Sequence, residues 1–219
     1  MTGPLNKTWF AIDGTLEPIN YDGPTYFRFP LELAEYVVDR YSSPGDWIFD
    51  PFCGFATTIV ASQRLGRRAI GFEKDPERGR FAAGRARSPS RVIVDDVREL
   101  RNHSLPQFDL VFTSPPYRSF GDPFEQDAAN YYANLSAIFE MVAGTLRPKA
   151  RIVVEMANIR EGSNVRTIAW GAAAVLSDLF HFDGELVRCN TGAEQAGPGF
   201  DHSYLLVFTN DERNHSRQR

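Results

Sequence analysis

Short apolar runs alternate with helix-spaced segments along most of this chain, and that alternation constrains the fold more than any other feature. Residues 47–50 (WIFD), 68–73 (RAIGFE), 91–94 (RVIV), 108–113 (FDLVFT) and 150–156 (ARIVVEM) read as strands. Residues 31–41 read as a helix entered at Pro30, and 56–65 as a helix closed by Gly66. Further helices are expected at 76 to about 87, 128–146 and 165–180. Parallel strands need long crossovers, so this order predicts an α/β fold with a mostly parallel sheet and helices on both faces. Residues 184–189 and 204–208 read as two last strands with no helix between them, which predicts an antiparallel pair at one edge. The count is then a seven-stranded sheet. A single domain is expected over 25–209, after a Gly/Pro-punctuated wrap segment at 1–24 and before a polar tail at 210–219.

A chain of 219 residues suits one domain with a sizeable core. At 42% hydrophobic and 24% charged, it fits neither a disordered nor a membrane protein. No apolar run approaches the ~20 residues of a bilayer span, and MTGPLNKTWFAIDG lacks a basic-then-apolar signal; a cytoplasmic protein is expected. Cys53 and Cys189 are too few for a disulfide framework and read as reduced thiols. The four histidines are scattered without zinc spacing, so no metal is expected. The net charge of −4 argues against a generic basic nucleic-acid coat. The charge is uneven, with eleven Lys/Arg against six Asp/Glu over 64–101. That stretch reads either as solvated helix faces or as a phosphate-facing patch.

The first of these strands ends in Asp50-Pro-Phe-Cys-Gly-Phe-Ala-Thr-Thr58, with a helix after it. In open α/β sheets ligands bind at the carboxyl ends of the strands, and a glycine there lets backbone approach a cofactor. The second strand ends in Glu73, placed to accept from two ribose hydroxyls, and the third in Asp95-Asp96, placed to reach an adenine amine. G-x-G-x-x-G is absent, and no Gly-Lys-Ser/Thr follows, so neither a dinucleotide nor a nucleoside triphosphate is indicated. A cofactor with an adenosine and no phosphates fits: S-adenosylmethionine.

The fourth strand stops at Ser114-Pro115-Pro116-Tyr117. Two prolines fix φ and remove two N–H groups, so the turn offers carbonyl oxygens without competing donors, and the Ser114 hydroxyl accepts or donates. That chemistry suits the exocyclic amine of a nucleobase. Its hydrogens are accepted, its developing positive charge is stabilised, and it is held in line with a methyl donor. Tyr117 offers a face for the base to stack on, and a base in duplex DNA must be flipped out to reach it.

Taken together, DPFCGFATT, GFEKDP and FTSPPY resemble the DNA amino-methyltransferases that modify N4 of cytosine or N6 of adenine. The resemblance covers roughly residues 25–209. It implies the Rossmann-like class I methyltransferase fold, S-adenosylmethionine as cofactor, DNA as partner, and a setting in restriction-modification with a specificity partner or cognate nuclease. It also implies the site residues. Phe29 and Pro30 lie along the methionine end of the cofactor. Asp50, Phe52, Cys53, Gly54, Thr57 and Thr58 form the cofactor turn. Glu73 meets the ribose and Asp96 the adenine, with Lys74 and Val97 beside them at the cofactor, and Ser114, Pro115, Pro116 and Tyr117 are catalytic. The family turn usually carries a second glycine where this chain has Ala56. Serine before Pro-Pro-Tyr is more usual for the cytosine enzymes, so N4 of cytosine is the expected target and N6 of adenine the second. Two alternatives stay open: an RNA methyltransferase acting on a base amine such as guanine N2, and a cofactor-binding protein that has lost turnover. Residues 118–132 mix aromatics with Gly-Asp-Pro and read either as a loop closing over the base or as a lead into a packed helix.

Overall fold

The computed structural model describes residues 8–23, 25, 28–116, 128–192 and 200–211. The chain order is β1 (Trp9–Ile12), α1 (Leu31–Tyr41), β2 (Trp47–Asp50), α2 (Thr57–Arg64), β3 (Arg68–Phe72), α3 (Pro76–Arg85), β4 (Arg91–Ile93), a 3-10 turn (Val97–Asn102), β5 (Phe108–Thr113), α4 (Ala128–Ala143), β6 (Leu146–Met156), β7 (Ile159–Glu161), β8 (Asn164–Arg166), α5 (Ile168–Ser177), β9 (His181–Asn190) and β10 (His202–Thr209). One eight-stranded sheet has the order β1-β9-β10-β6-β5-β2-β3-β4, and β7 and β8 form a separate hairpin. Among the described strands of the eight-stranded sheet, only β10 runs against its neighbours. The doubly wound α/β architecture is the one the sequence predicts.

Alternation along the central strands divides the core in two. Phe49, Ile152, Val154, Met156 and Leu206 face the layer of α4, α5 and the 3-10 turn. Ile48, Val153, Leu205 and Val207 face the layer of α1, α2 and α3. A strand covered on both faces by helices reads as a continuous apolar run, which is why 108–113 and 150–156 stand out in the sequence. The helices bury one stripe each. Tyr131, Leu135, Ile138, Phe139 and Val142 of α4 recur at three- and four-residue spacing and are all buried.

Four differences from the sequence reading have local causes. The sheet has an eighth strand, because Trp9–Ile12, inside the segment expected only to wrap the domain, pairs in parallel with Val187–Asn190. Four residues carry too little periodicity to be read as a strand. The paired last strands are present, but β1 covers the outer side of β9, so they are not the sheet edge. β6 begins at Leu146, where a helix was expected, because its first residues pair across a register shift with Phe108 of β5. The helix expected from 165 begins at Ile168, since Asn164–Arg166 returns on Ile159–Glu161 through Gly162 at φ +60°. Among the described residues no helix is long and apolar enough to cross a membrane.

Candidate active site

The turn after β2 is organised by one buried carboxylate. Asp50 accepts from the Phe52 amide at 3.1 Å, from Thr58 Oγ1 at 2.6 Å and from Thr113 Oγ1 at 2.6 Å. It therefore ties together the start of the turn, the first turn of α2 and the end of β5. Burial raises its pKa from 3.8 to about 6, against the pull of those three donors, and the nearby Glu73 charge adds to the rise. The sequence placed Asp50 and Thr58 among the cofactor contacts; the structure turns the two side chains onto each other.

The turn itself runs through left-handed backbone twice, at Gly54 (φ +51°) and at Ala56 (φ +64°). Glycine adopts this region freely, whereas a residue with Cβ is strained there by roughly 1–2 kcal/mol. Ala56 is also the N-cap of α2 and has no side chain to cap it. The first amides of α2 are thus left for other partners, beside a backbone bare of side chain at Gly54. Cys53 hydrogen-bonds its amide to the Phe72 carbonyl at 2.9 Å and packs its side chain over Gly71. A Cβ at Gly71 would come within 2.5 Å of Cys53 Cβ, so the close approach of turn and β3 requires that glycine. Burial pushes the Cys53 thiol well up, which makes it a packing group. Thr57 is buried and Phe52 half-buried against the core.

Glu73 stands at the end of β3, 6% exposed. Its Oε1 accepts from the Asp75 amide at 2.9 Å and from Arg78 Nη2 at 2.8 Å, both bonds falling on the same oxygen. Asp75 caps α3 by accepting from the Glu77 and Arg78 amides, with Pro76 at the first helical position, so this helix start aims Arg78 at Glu73. Arg78 Nε is buried without a hydrogen-bond partner among the described residues. Lys74 lies near enough to Asp96 to help hold its carboxyl low, after the larger effect of the Arg98 hydrogen bond. Asp96 accepts from the Arg98 amide and side chain and caps the 3-10 turn; Val97 beneath it is buried. Phe29, beside buried Pro30, packs on Phe112 with ring centroids 4.9 Å apart.

Ser114 follows the last residue of β5. Because Thr113 pairs with Val154, Ser114 comes level with Glu155 on β6, and its hydroxyl donates to Glu155 Oε2 at 2.9 Å. Pro115 is buried and Pro116 half-buried. Tyr117 and residues 118–127 lie outside the described residues. Tyr131 is buried in the core, and Tyr132 meets it edge-on at 5.2 Å. The sequence reading did not single out Glu155, although a lone carboxylate in the apolar run ARIVVEMA was the signal available.

Most of the arginines of 64–101 also bond to groups within the protein. Arg64 and Arg85 pair with Glu17, Arg67 donates to Ser42, Arg68 to the Gly45 carbonyl, Arg91 to the Ser104 carbonyl, and Arg98 to Asp96.

Residues 19–83 match the DNA methylase family. The type II methyltransferase M.MthZI of Methanothermobacter thermautotrophicus is 36% identical over 73 residues, covering 32% of this chain and 21% of the relative. The orphan methyltransferase M.BamHII of Bacillus amyloliquefaciens is 33% identical over 93 residues, covering 42% and 34%. The chain thus spans between a fifth and a third of the length of these two curated relatives. Among solved structures, a TehB-like SAM-dependent methyltransferase from Corynebacterium glutamicum aligns with TM-score 0.53 at 17% identity, covering 80% of this chain and 86% of that one. The precorrin-6y C5,15-methyltransferase of Geobacter metallireducens aligns with TM-score 0.55 at 16% identity, covering 86% and 92%.

Proposed function

We propose that this chain, which carries the resemblance to the N4/N6 DNA amino-methyltransferases over residues 19–83 and has the fold of the S-adenosylmethionine-dependent methyltransferases, methylates the exocyclic amine of a DNA base, with N4 of cytosine the favoured target and N6 of adenine the second. The observation that carries this reading is the adjacency of two turns. Ser114-Pro115-Pro116 leaves the end of β5, and the Gly54 turn leaves the end of β2, its immediate neighbour in the sheet.

The cofactor fits the residues present. The bare backbone of Gly54 and the uncapped start of α2 suit close approach by a small polar ligand, and Glu73 beside them suits the ribose hydroxyls. Phe29 and Pro30 would border the methionine end and Asp96 the adenine, with Lys74 and Val97 flanking the pocket. When bound, the cofactor supplies an electrophilic sulfonium methyl. The protein's part is to hold the nucleophile. With its proton donated to Glu155, the Ser114 oxygen faces the amine as an acceptor. A proline turn without N–H groups adds carbonyl acceptors, and together they face the positive charge that develops on nitrogen. In this reading Tyr117 stacks on the flipped base.

DNA is the proposed partner, with sequence choice supplied by the segment after Tyr117 or by a separate specificity partner, and a cytoplasmic, single-domain protein is the proposed setting. Transfer of a tritiated methyl group to DNA and to RNA, followed by digestion to nucleosides, tests the proposal. Label in N4-methylcytosine or N6-methyladenine is expected; label confined to guanine N2 of RNA would replace it.

A further inference from the structure

Behind Ser114 the sheet holds a charged side chain that neither the cofactor turn nor the hydroxyl–carboxylate pair accounts for. Arg188 of β9 is 3% exposed and Glu155 of β6 is 4% exposed. Arg188 Nη1 stands 3.7 Å from Glu155 Oε1, beyond hydrogen-bond length, while the other oxygen of Glu155 is held by Ser114. The register explains the meeting. Leu205 of β10 lies opposite both Glu155 and Leu186, and Ser203 lies opposite Arg188, so all of these share the α1 face. β9 runs parallel to β6, and Arg188 is two residues from its end, at the same carboxyl rim as Ser114. The two backbones are roughly two strand spacings apart, about 10 Å, which an arginine side chain crosses.

Two buried polar atoms in this cluster, Arg188 Nε and Ser203 Oγ, have no hydrogen-bond partner among the described residues. An arginine placed only to neutralise Glu155 would close to hydrogen-bond distance and satisfy its fork, because a buried guanidinium left short of acceptors is costly. A buried arginine whose tip lies against the carboxylate that holds Ser114, and a buried hydroxyl opposite that arginine on the next strand, are both in want of partners, and an acceptor on the substrate would supply one.

Resting on base-amine methylation as the reaction, we propose that Arg188, seconded by Ser203, binds the ring nitrogen adjacent to the amine being methylated. The amine and its neighbouring ring acceptor form one donor–acceptor pair in cytosine (N4 and N3) and in adenine (N6 and N1). Ser114, held by Glu155, takes the donor half, and Arg188 takes the acceptor half. Guanine presents N1–H beside its amine on the same edge, and thymine presents N3–H, so the guanidinium meets a donor and both bases are rejected. Arg188 is then a specificity-determining residue.

The test uses the full chain and mixed-sequence oligonucleotides in which cytosine is replaced by 3-deazacytosine, or adenine by 1-deazaadenine. Each analogue keeps the amine and loses the ring acceptor. The wild-type chain should lose roughly 10- to 100-fold in kcat/KM on the analogue of its target base. Arg188→Lys and Ser203→Ala should lose activity on the ordinary base and retain little of that discrimination. Both should keep cofactor affinity by calorimetry. Ser203→Ala should be at least as stable as wild type, since the hydroxyl it removes is unpartnered in the fold. Equal wild-type rates on ordinary and deaza bases, or undiminished discrimination in both variants, would overturn the assignment. Should the chain methylate neither base in DNA, the proposed substrate fails, and the assignment is read separately from saturation-transfer NMR with cytidine, adenosine and their deaza forms. Binding that ignores the ring nitrogen, or no binding, then overturns it.

Discussion

The hydroxyl of Thr113 donates to the carboxylate of Asp50 across 2.6 Å, so the last residue of β5 is fastened to the last residue of β2. The turn that would hold the cofactor and the turn that would hold the amine share this one buried bond. Thr113→Val keeps the shape and removes the donor. It should lower stability by about 1–3 kcal/mol, the range for leaving a buried charged acceptor short of a partner. Urea unfolding measures this; a variant as stable as wild type would show that the bond contributes nothing net.

Asp50 also sets a pH dependence. Its folded pKa, about 6, is raised above 3.8, so between these values the folded state holds a proton that the unfolded state has released. Stability from this group is therefore greatest below about pH 4, falls as pH rises, and levels off above about 6. The full change is on the order of 3 kcal/mol. Asp96 works in the opposite sense, because its carboxyl is held low by Arg98: its contribution is present above the ordinary carboxylate pKa and is lost as pH falls through the lowered value. The difference between wild type and Asp50→Asn, measured by unfolding from pH 4 to 7, isolates the first effect. The variant should gain relative stability as pH rises, and a flat difference would remove Asp50 as the source.

Ala56 occupies backbone that glycine prefers, at φ +64°. Ala56→Gly should stabilise the fold by up to about 1 kcal/mol, the relief of left-handed strain less the added chain entropy of glycine. Cofactor affinity should hold or tighten. Thermal melts and calorimetry check both, and a clear loss of stability would mean that the buried methyl group matters more than the backbone strain.

Glu73→Ala should weaken S-adenosylmethionine binding by roughly 1–3 kcal/mol, through loss of charge-assisted hydrogen bonds. It also strips Arg78 of its carboxylate partner at 2.8 Å, so stability should fall alongside affinity. Glu73→Gln separates the two effects, and an unchanged affinity in both variants would take Glu73 out of the site.

Ser114→Ala should keep cofactor affinity and lose most turnover, because the acceptor that would face the amine is gone while the cofactor turn is untouched; Glu155 loses its hydroxyl donor at the same time. Single-turnover kinetics with matched calorimetry distinguish this from a binding defect. A Ser114→Ala chain with wild-type turnover would show that the proline carbonyls suffice.

Apolar runs buried on both faces, with amphipathic stripes between them, already point to a parallel sheet covered by helices on both sides. Helix α1 has the bounds its spacing predicted, and β2 and β5 match residue for residue. Glu73 and Ser114 were legible as the residues that follow a strand, and Gly54 as the glycine of a turn, since a strand end is marked locally by the break in its own pattern. Tertiary structure decided what has no local mark. β1 exists because β9 is there to pair with it. Asp50, expected from the sequence as a cofactor contact, is also a buried tie, because Thr58 and Thr113, 8 and 63 residues away in sequence, both donate to it. Glu155 and Arg188 are single charges in apolar strands, and nothing in the sequence near either one names the other. They meet because β10 enters the sheet between their strands in reverse, and its register sets both on the face that Ser114 reaches.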